Sequence, residues 1–330
     1  MANYEVHYLN VSDADAIIIR YEDDNSKYIA LLDAGNVNDS DKIKNYIWKH
    51  WKTNTINLAI CTHPDSDHKG GFFGLLNDED ITIEEFWLNS PDDVIGEEEY
   101  KKLYPKRNRL SHCRECFNHP SDVNSINLVN LAMKSVCIVR GAYYGLKHSC
   151  IPISVVGPTK SFYHPLAIEI LKNNKRIKDE DNSIYEDTTC FSSAQAKSSI
   201  DDEVDDCSPT NAGSIILLFE PAENCKFLLL GDANRAAIAD VILNNTNLSG
   251  CRIKVPHHGS KHNLTSDLIG KLAPSCAIIS AKGTQKHPSR GVVHCLSYHC
   301  NVYSTHKSGN LVHTSSAVNK PAIPLKEKQS

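Results

Sequence analysis

The sequence predicts an α/β protein, built as two mixed β-sheets face to face with helices outside, an αββα sandwich. Two observations predict this class. Short apolar runs such as Ala16–Ile19 and Ile56–Ile60 have the length and composition of buried strands. In the last third of the chain, such runs alternate regularly with stretches of helical periodicity, which is the order expected when helices cover the faces of a sheet.

In the first third of the chain, the sequence predicts three strands, then one helix, then the buried strand Ile56–Ile60. Alternation from Tyr4 to Tyr8 is typical of a strand with one buried face. Gly70-Gly71-Phe72-Phe73 is expected to open a further helix. The earlier strands are predicted at about 4–9, 15–20 and 27–33, and the first helix near 40–51.

The middle of the chain departs from this regular pattern. Residues 90–175 predict an inserted elaboration, with helices near 93–103, 121–134 and 161–173 and strands near 135–140 and 151–156. Residues 176–210 are polar, serine-rich and acidic, bury too little apolar surface to order themselves, and are expected to form a mobile loop. The last third predicts strands at 214–220, 226–231, 251–255, 276–280 and 301–304, and helices near 233–243, 264–271 and 289–297.

Length and composition predict one elaborated domain. The chain of 330 residues is 41% hydrophobic, enough to bury a full core, and we assign the domain to residues 1–320 and a disordered tail to 321–330. No window approaches 18 uninterrupted apolar residues, and the first residues lack the pattern of a signal peptide. The 12 cysteines are scattered, which argues against a disulfide framework. We therefore expect a soluble, cytoplasmic protein without membrane contact.

The charge gives little support for nonspecific binding of nucleic acid. The formal net charge is −5, whereas such binding depends on basic patches that neutralise phosphates. The segment Lys101–Arg109 is a local exception, with five basic residues and a tyrosine. It is either a contact for a phosphate backbone or a solvated loop or helix end.

The segment His63-Pro64-Asp65-Ser66-Asp67-His68 places four metal-ligating side chains within six residues, directly after a predicted strand. Imidazole nitrogens and carboxylate oxygens are ligands of Zn²⁺ in proteins. A loop at a strand end can direct all four side chains at one point, whereas a helix or a strand would distribute them over different faces. The segment therefore predicts a metal site.

This cluster resembles the His-x-His-x-Asp-His signature of the metallo-β-lactamase fold, with Asp65 in place of the second histidine. Within that fold, the chain resembles the branch that includes the soluble hydrolase domain of bacterial competence-type DNA-uptake proteins. The resemblance implies a metallo-β-lactamase sandwich, with an inserted segment between the first metal motif and the second sheet. Further segments resemble that branch in order and approximate spacing: Leu31–Gly35, Asn211–Ser214, Leu228–Asp232, Val255–Ser260, His287–Ser289 and Val302–Gly309.

The resemblance also implies how a pair of divalent ions, Zn or Mn, would be held. His63 and Asp65 would bind one ion, Asp67 and His68 the other, and Asp232 would bridge both. His258 would complete the second site and leave His257 facing the substrate, although the sequence also allows these two histidines to exchange roles.

One departure concerns the first ion. Many family members supply a further histidine to it, and here that position holds Asn211, whose neutral oxygen is a poor ligand for zinc but acceptable to Mn²⁺ or Mg²⁺. The ion held by His63 and Asp65 is therefore expected to be the weaker and more exchangeable of the pair, or to be manganese, which makes occupancy by two ions uncertain. Asp33 is a candidate to orient a ligand histidine, and His287 to bind phosphate or donate a proton.

Cys113-x-x-Cys116, flanked by His112 and His119, is a weaker candidate. It is either a structural zinc site or a reduced loop, because it lacks the second, distant ligand pair of a zinc finger.

The function expected from these features is that of a metal-dependent hydrolase, a phosphodiesterase or nuclease that acts on DNA, RNA or a nucleotide. The mechanism expected is attack by a metal-bound hydroxide, with Asp67, His257 and His287 as catalytic residues. An esterase or lactonase acting on a small carbonyl substrate is one alternative, and a non-catalytic effector or partner subunit is another. A partner protein and the oligomeric state are left open.

Overall fold

The computed structural model describes residues 3–23, 26–120, 126–172, 192–245, 247–284 and 286–315. The strands in these ranges are, in chain order, β1 Asn3–Tyr8, β2 Ile17–Glu22, β3 Lys27–Leu32, β4 Thr55–Ile60, β5 Thr82–Trp87, β6 Ile138–Arg140, β7 Ile153–Gly157, β8 Ile216–Ala222, β9 Cys225–Leu229, β10 Arg252–Lys254, β11 Cys276–Ile279, β12 Asn301–Ser304 and β13 Leu311–Thr314.

The helices lie between these strands. They are α1 Ser40–Trp51, α2 Ser66–Asn77, α3 Glu97–Leu103, α4 Arg109–Cys113, α5 Leu128–Ser135, α6 Lys160–Lys172, α7 Ser193–Asp201, α8 Pro209–Ala212, α9 Arg235–Asn244, α10 Ser266–Leu272, α11 Arg290–Ser297 and α12 Thr305–Ser308. Within the described ranges, every helix is too short or too polar to cross a bilayer.

The strands form two mixed sheets. The first has the order β13-β1-β2-β3-β4-β5-β6 and the second the order β12-β11-β10-β9-β8-β7. In the first sheet β3, β4, β5 and β6 are parallel neighbours, and in the second β9, β10, β11 and β12 are. The other pairs, including β1 with β13, are antiparallel.

Residues along each strand alternate between two cores. In β2, Ile17 and Ile19 point into a core between the sheets, whereas Ile18 packs on the opposite face against residues of α1 and α2. The outer face of the second sheet packs in the same way against α7, α9, α10 and α11. Since successive side chains of a strand point to opposite faces, this division defines four layers, helices, sheet, sheet and helices. The predicted αββα sandwich is confirmed.

Helix α2 lies unusually close to the loop after β3. A Cβ added to Gly71 would stand 2.1 Å from the carbonyl oxygen of Ala34, so only glycine permits this approach. The amide of Ala34 donates to the carbonyl of His68 at 2.8 Å. The absence of a side chain at Gly71 thus allows the first turn of α2 to lie against the end of β3.

The sequence analysis missed two strands and misplaced the start of one helix. Strands β5 and β13 were not predicted, and the helix expected at 93–103 begins only at Glu97. Of the helix expected at 121–134, residues 121–125 lie outside the described residues and the rest begins at Leu128. Residues 176–191 and the predicted tail at 321–330 also lie outside them.

The expectation of a mobile loop is wrong for residues 192–210. This stretch contains helix α7 and the beginning of α8. Ala196 and Ile200 of α7 are buried in the core on the outer face of the second sheet. The acidic residues among residues 192–210 come after these two side chains, at 201–206. Composition averaged over 35 residues concealed the two apolar side chains that fix this helix.

Candidate metal centre

The candidate site lies where the carboxyl ends of four parallel strands meet between the sheets. Asp33 follows β3, and the segment His63–His68 follows β4. Asp232 follows β9, and His257 and His258 follow β10. The amide of Ile215 donates to the carbonyl of Thr62 at 2.9 Å, which joins the two sheets at this edge. Ligand sites of open α/β sheets commonly lie at such carboxyl ends.

The predicted metal segment is half loop and half helix. Asp65 is the residue that precedes α2, and Asp67 and His68 lie in the first turn of that helix. The expectation of one strand-end loop that carries all four ligands is therefore wrong in part. The side chains still converge, because a first helical turn at the end of a strand presents its residues to the same edge.

Four of the predicted ligands form what we call the tight half of the site: Asp67, His68, Asp232 and His258. Their ligand atoms all lie within 4.8 Å of one another. Asp67 Oδ2 is 3.1 Å from His258 Nε2 and 3.5 Å from His68 Nε2, and Asp232 Oδ2 is 3.4 Å from His68 Nε2. Tetrahedral ligands with bonds of about 2.0–2.1 Å are about 3.3 Å apart. The spacing of the tight half matches that geometry.

A single carboxylate orients two imidazoles. Asp33 Oδ2 accepts a hydrogen bond from His68 Nδ1 at 2.7 Å and another from the Thr62 hydroxyl at 2.8 Å. Since the Thr62 proton is used there, its oxygen accepts from His63 Nδ1, which lies 3.0 Å away. Both histidines therefore carry their proton on Nδ1 and present Nε2 to the site, the arrangement typical of metal-ligating histidines.

The same tautomer holds for His258, whose Nδ1 donates to the carbonyl of Ser280 at 2.9 Å. Its Nε2 and the carboxylate of Asp67 are then both acceptors, and they face each other. Burial lowers the pKa of His258, but the negative charges of Asp232 and Asp67 outweigh it and raise the pKa to about 9. The pair requires a cation between its atoms, either a proton or a metal ion.

Two further histidine nitrogens also indicate that this site binds a cation. His63 Nε2 and His68 Nε2 are buried, and neither has a hydrogen-bond partner in the part of the chain that is described. An unpaired buried polar atom costs free energy, and convergence of two such atoms on one carboxylate oxygen is expected where an ion is bound. The residues present therefore fit a divalent metal ion.

The two remaining predicted ligands, His63 and Asp65, lie with the neighbouring side chains of Asn211 and His257 in what we call the open half of the site. His63 Nε2 lies 3.8 Å from Asp65 Oδ2 and 3.9 Å from Asp232 Oδ2. His257 Nε2 lies 4.0 Å from the same Asp232 oxygen. The separations are wider than in the tight half, and the Asp65 side chain is 42% exposed.

The turn that carries His257 and His258 has a rare backbone conformation. Both residues have positive φ, 46° and 51°, and Gly259 follows with 82°. Asp33 shares this property, with a φ of 53°. Left-handed conformations of residues other than glycine are uncommon and concentrate at functional sites.

Two buried residues beneath the site were missed by the sequence analysis. The Lys254 ammonium group contacts the carboxylate of Asp15, donates to the carbonyl of Gly231 at 3.1 Å and lies 3.6 Å from Asp232 Oδ1. Burial opposes this charge, but Asp15 and Asp232 raise the pKa of Lys254 above its ordinary value. A lysine within the apolar run before the two histidines was the one available signal.

His287 lies beside the predicted ligand histidines. Its ring centre is 5.4 Å from that of His257 and 6.0 Å from that of His258, and the ring is buried. Burial, together with the positive charges of His257 and His258, lowers the pKa of His287 to about 3. The ring is neutral at pH 7, which favours hydrogen bonding to a phosphate over proton donation.

The weaker candidates do not converge. Cys113, Cys116, His112 and His119 form no ligand group among the described residues. His112 Nδ1 instead lies 2.8 Å from the Tyr100 hydroxyl. Burial raises the pKa of both thiols to about 12, so the reduced-loop alternative describes this segment.

Two of the five basic residues in the segment Lys101–Arg109 bind neighbouring groups of the same chain. Lys101 pairs with Glu97 at 3.2 Å, and Arg109 donates to the carbonyls of Asp92 and Ile95. These contacts favour a solvated helix end over a phosphate contact.

No protein-family model and no curated protein matches the sequence. Solved structures that are similar include the following two. A diphosphatase from the PhnP family has 9% identity and a TM-score of 0.43, and the match covers 95% of this chain and 99% of that one. A subclass B3 metallo-β-lactamase from a soil metagenome library has 12% identity and a TM-score of 0.35, over 89% and 88% of the two chains. Likenesses of this size assign no activity, and the resemblance to the DNA-uptake branch stays a prediction.

Proposed function

We propose that the protein is a metal-dependent phosphodiesterase acting on DNA, RNA or a nucleotide. The observation that carries this proposal is the tight half, in which two imidazoles and two carboxylates converge within 4.8 Å. Asp67, His68, Asp232 and His258 would hold one divalent ion. His63 and Asp65 would contribute to a second, looser position that shares Asp232.

The composition of the ligand set supports hydrolysis of a phosphodiester. A mixture of imidazoles with Asp65, Asp67 and Asp232 suits Zn²⁺ and also Mn²⁺, which prefers oxygen ligands. When bound, such ions act as Lewis acids toward a phosphoryl oxygen and activate water as a nucleophile. Two ions held side by side by these residues would be suited to in-line displacement at phosphorus.

The protein's own residues position the reacting groups. Asp33 and the carbonyl of Ser280 fix the histidines of the tight half, so these ligands need no reorganisation during the reaction. His287, neutral and without a hydrogen-bond partner at Nδ1 among the described residues, is placed to donate a hydrogen bond to an oxygen of the substrate. In this proposal His287 binds the substrate and does not act as the proton donor.

The test combines metal content with hydrolysis. Metal-free protein is loaded with Mn²⁺ or Zn²⁺, the bound metal is measured by mass spectrometry, and cleavage of bis-p-nitrophenyl phosphate and single-stranded DNA is followed. We expect metal-dependent cleavage that Asp67→Ala abolishes and that Asp267→Ala, at a side chain 68% exposed, leaves unchanged. Turnover confined to lactone or thioester probes would transfer the site to the esterase class. Absence of bound metal would overturn the proposal.

A further inference from the structure

The open half lacks one ligand. Asn211 occupies the position where the resemblance implies a histidine. Its Nδ2 donates a hydrogen bond to Asp206 Oδ2 at 2.8 Å. Its Oδ1 is buried and has no hydrogen-bond partner among the described residues. A neutral amide oxygen is a weak ligand compared with imidazole. Asn211 therefore offers the open half a weaker donor than the imidazole that the resemblance implies at this position.

His257 stands next to this position. Its Nδ1 lies 3.5 Å from Asn211 Nδ2, and its Nε2 lies 4.0 Å from Asp232 Oδ2. The predicted ligand His63 lies at nearly the same distance, 3.9 Å, from that oxygen. The imidazoles of His257 and His63 thus face the same carboxylate oxygen.

Asp206 determines the tautomer of His257. Nδ1 of this histidine lies 3.1 Å from Asp206 Oδ2 and 3.2 Å from Asn263 Oδ1, both of which are acceptors. Nδ1 must therefore carry a proton, and in the neutral ring Nε2 keeps its lone pair. A carboxylate that accepts the Nδ1 proton is the usual partner of a metal-ligating histidine.

The Asp206 carboxylate is itself fixed. Its Oδ2 also accepts from Asn263 Nδ2 at 3.2 Å, and its Oδ1 accepts from the amide of Ser208 at 2.9 Å. The backbone carbonyl of Asp206 accepts from Asn234 Nδ2 at 3.0 Å. A carboxylate with this many donors has one orientation, and so does the histidine that it holds.

We propose that His257 is the ligand that completes the open half in place of the histidine absent at Asn211, and that Asp206 is the positioning residue that directs His257 Nε2 to it. This inference rests on the proposed function, because it concerns the second divalent ion of the same site. It replaces the expectation that His257 assists the leaving group. Asp206 then orients His257 in the same way that Asp33 orients His68.

The test is a titration of metal-free protein with Mn²⁺. Calorimetry measures the binding, and electron paramagnetic resonance reports on the bound ion. The wild type is expected to bind one equivalent tightly and a second more weakly. Asp206→Asn should weaken the second equivalent about 10–100-fold, the effect of removing such a partner, and leave the first unchanged. His257→Gln should weaken it at least as much. Asp202→Asn, which removes an exposed charge from the same acidic segment, is the matched control.

A second readout reports the tautomer directly. In the wild type, ¹⁵N chemical shifts should show His257 protonated at Nδ1. Asp206→Asn should weaken that preference, since the carboxylate acceptor is lost and the neutral acceptor Asn263 Oδ1 stays, while the circular dichroism spectrum stays native. If Asp206→Asn does not fold, His257→Gln alone decides, since its ring is partly exposed. Two unchanged equivalents in His257→Gln would overturn the inference while leaving the proposed function intact. A wild type that binds no Mn²⁺ or Zn²⁺ would overturn both.

Discussion

The two halves of the site have similar ligand types but very different surroundings. In the tight half, three pairs of ligand atoms are 3.1–3.5 Å apart, and the side chains of His68 and His258 are 0% and 4% exposed. In the open half the separations are 3.8–4.0 Å, and His257 and Asp65 are 22% and 42% exposed. Both departures from the expected ligand pattern, Asp65 and Asn211, also lie in the open half. Both departures therefore lie in the half with the wider separations between ligand atoms.

The comparison predicts unequal affinities. Ligands already at the spacing of a bound ion need little rearrangement, whereas exposed ligands lose conformational freedom when an ion orders them. Oxygen-rich, wider sites also favour Mn²⁺ over Zn²⁺. We expect the tight half to fill first and the open half to exchange its ion readily.

The largest effect should come from Lys254, which lies beneath both halves. Lys254→Met would leave the buried carboxylates of Asp15 and Asp232 without their cation, and breaking a buried pair in this way costs about 3–5 kcal/mol. Urea unfolding of the metal-free protein measures the loss. Lys271→Met, at a side chain 55% exposed, should change the free energy of unfolding by less than about 0.5 kcal/mol.

An additional Asp15→Asn substitution should restore part of the stability lost in Lys254→Met, since it removes one of the uncompensated charges. A loss below about 1 kcal/mol in Lys254→Met would show that Lys254 is not the cation that balances these carboxylates.

The next largest effect should come from substitutions of one ligand in each half, which test whether the two halves bind separate ions. His258→Ala removes a ligand of the tight half and should lower kcat by at least about 10²-fold, with loss of the tightly bound equivalent. His63→Ala removes a ligand of the open half and should spare that equivalent while the second is lost. Metal analysis after gel filtration distinguishes the two variants. Identical stoichiometries in both would mean that the halves are not separate sites.

The prediction from sequence was strongest where signals are local. We could recognise the segment from His63 to His68 and the pair His257-His258 as candidate ligands, because their metal-ligating side chains are close together in the sequence. The αββα layers followed from alternation of apolar residues, which reports directly on the two faces of a strand. These features depend on neighbouring residues and need no knowledge of long-range contacts.

The contacts between distant segments were not predictable. Lys254 and Asp15 are 239 positions apart, and Asp206 and His257 are 51 apart. Asp206 lies in a run of acidic residues that is typical of solvent-exposed loops, and only its contacts with Asn211, Asn263 and His257 distinguish it. A single sequence carries no signal for such pairs, because the physical constraint exists only once the sheets have packed.

Asp33 gives an intermediate effect on both halves. Its carboxylate holds His68 directly and His63 through Thr62, so Asp33→Asn should weaken both equivalents, each by about 10–100-fold. Calorimetric titration of the metal-free variant with Zn²⁺ tests this, with Asp80→Asn, at a side chain 73% exposed, as the control. An effect on the first equivalent alone would contradict the hydrogen-bond chain through Thr62.

The smallest effect concerns Asn211. In Asn211→Ala, Asp206 loses one donor but keeps those of Asn263, Ser208 and His257, so it should hold His257 slightly less firmly. A single hydrogen bond of this kind contributes about 1 kcal/mol, which corresponds to about a fivefold weaker second equivalent and an unchanged first one. Titration with Mn²⁺ under the conditions used for Asp206→Asn makes the two losses comparable. A loss in Asn211→Ala as large as in His257→Gln would make Asn211 itself the missing ligand, and the open half would then be completed by an amide oxygen.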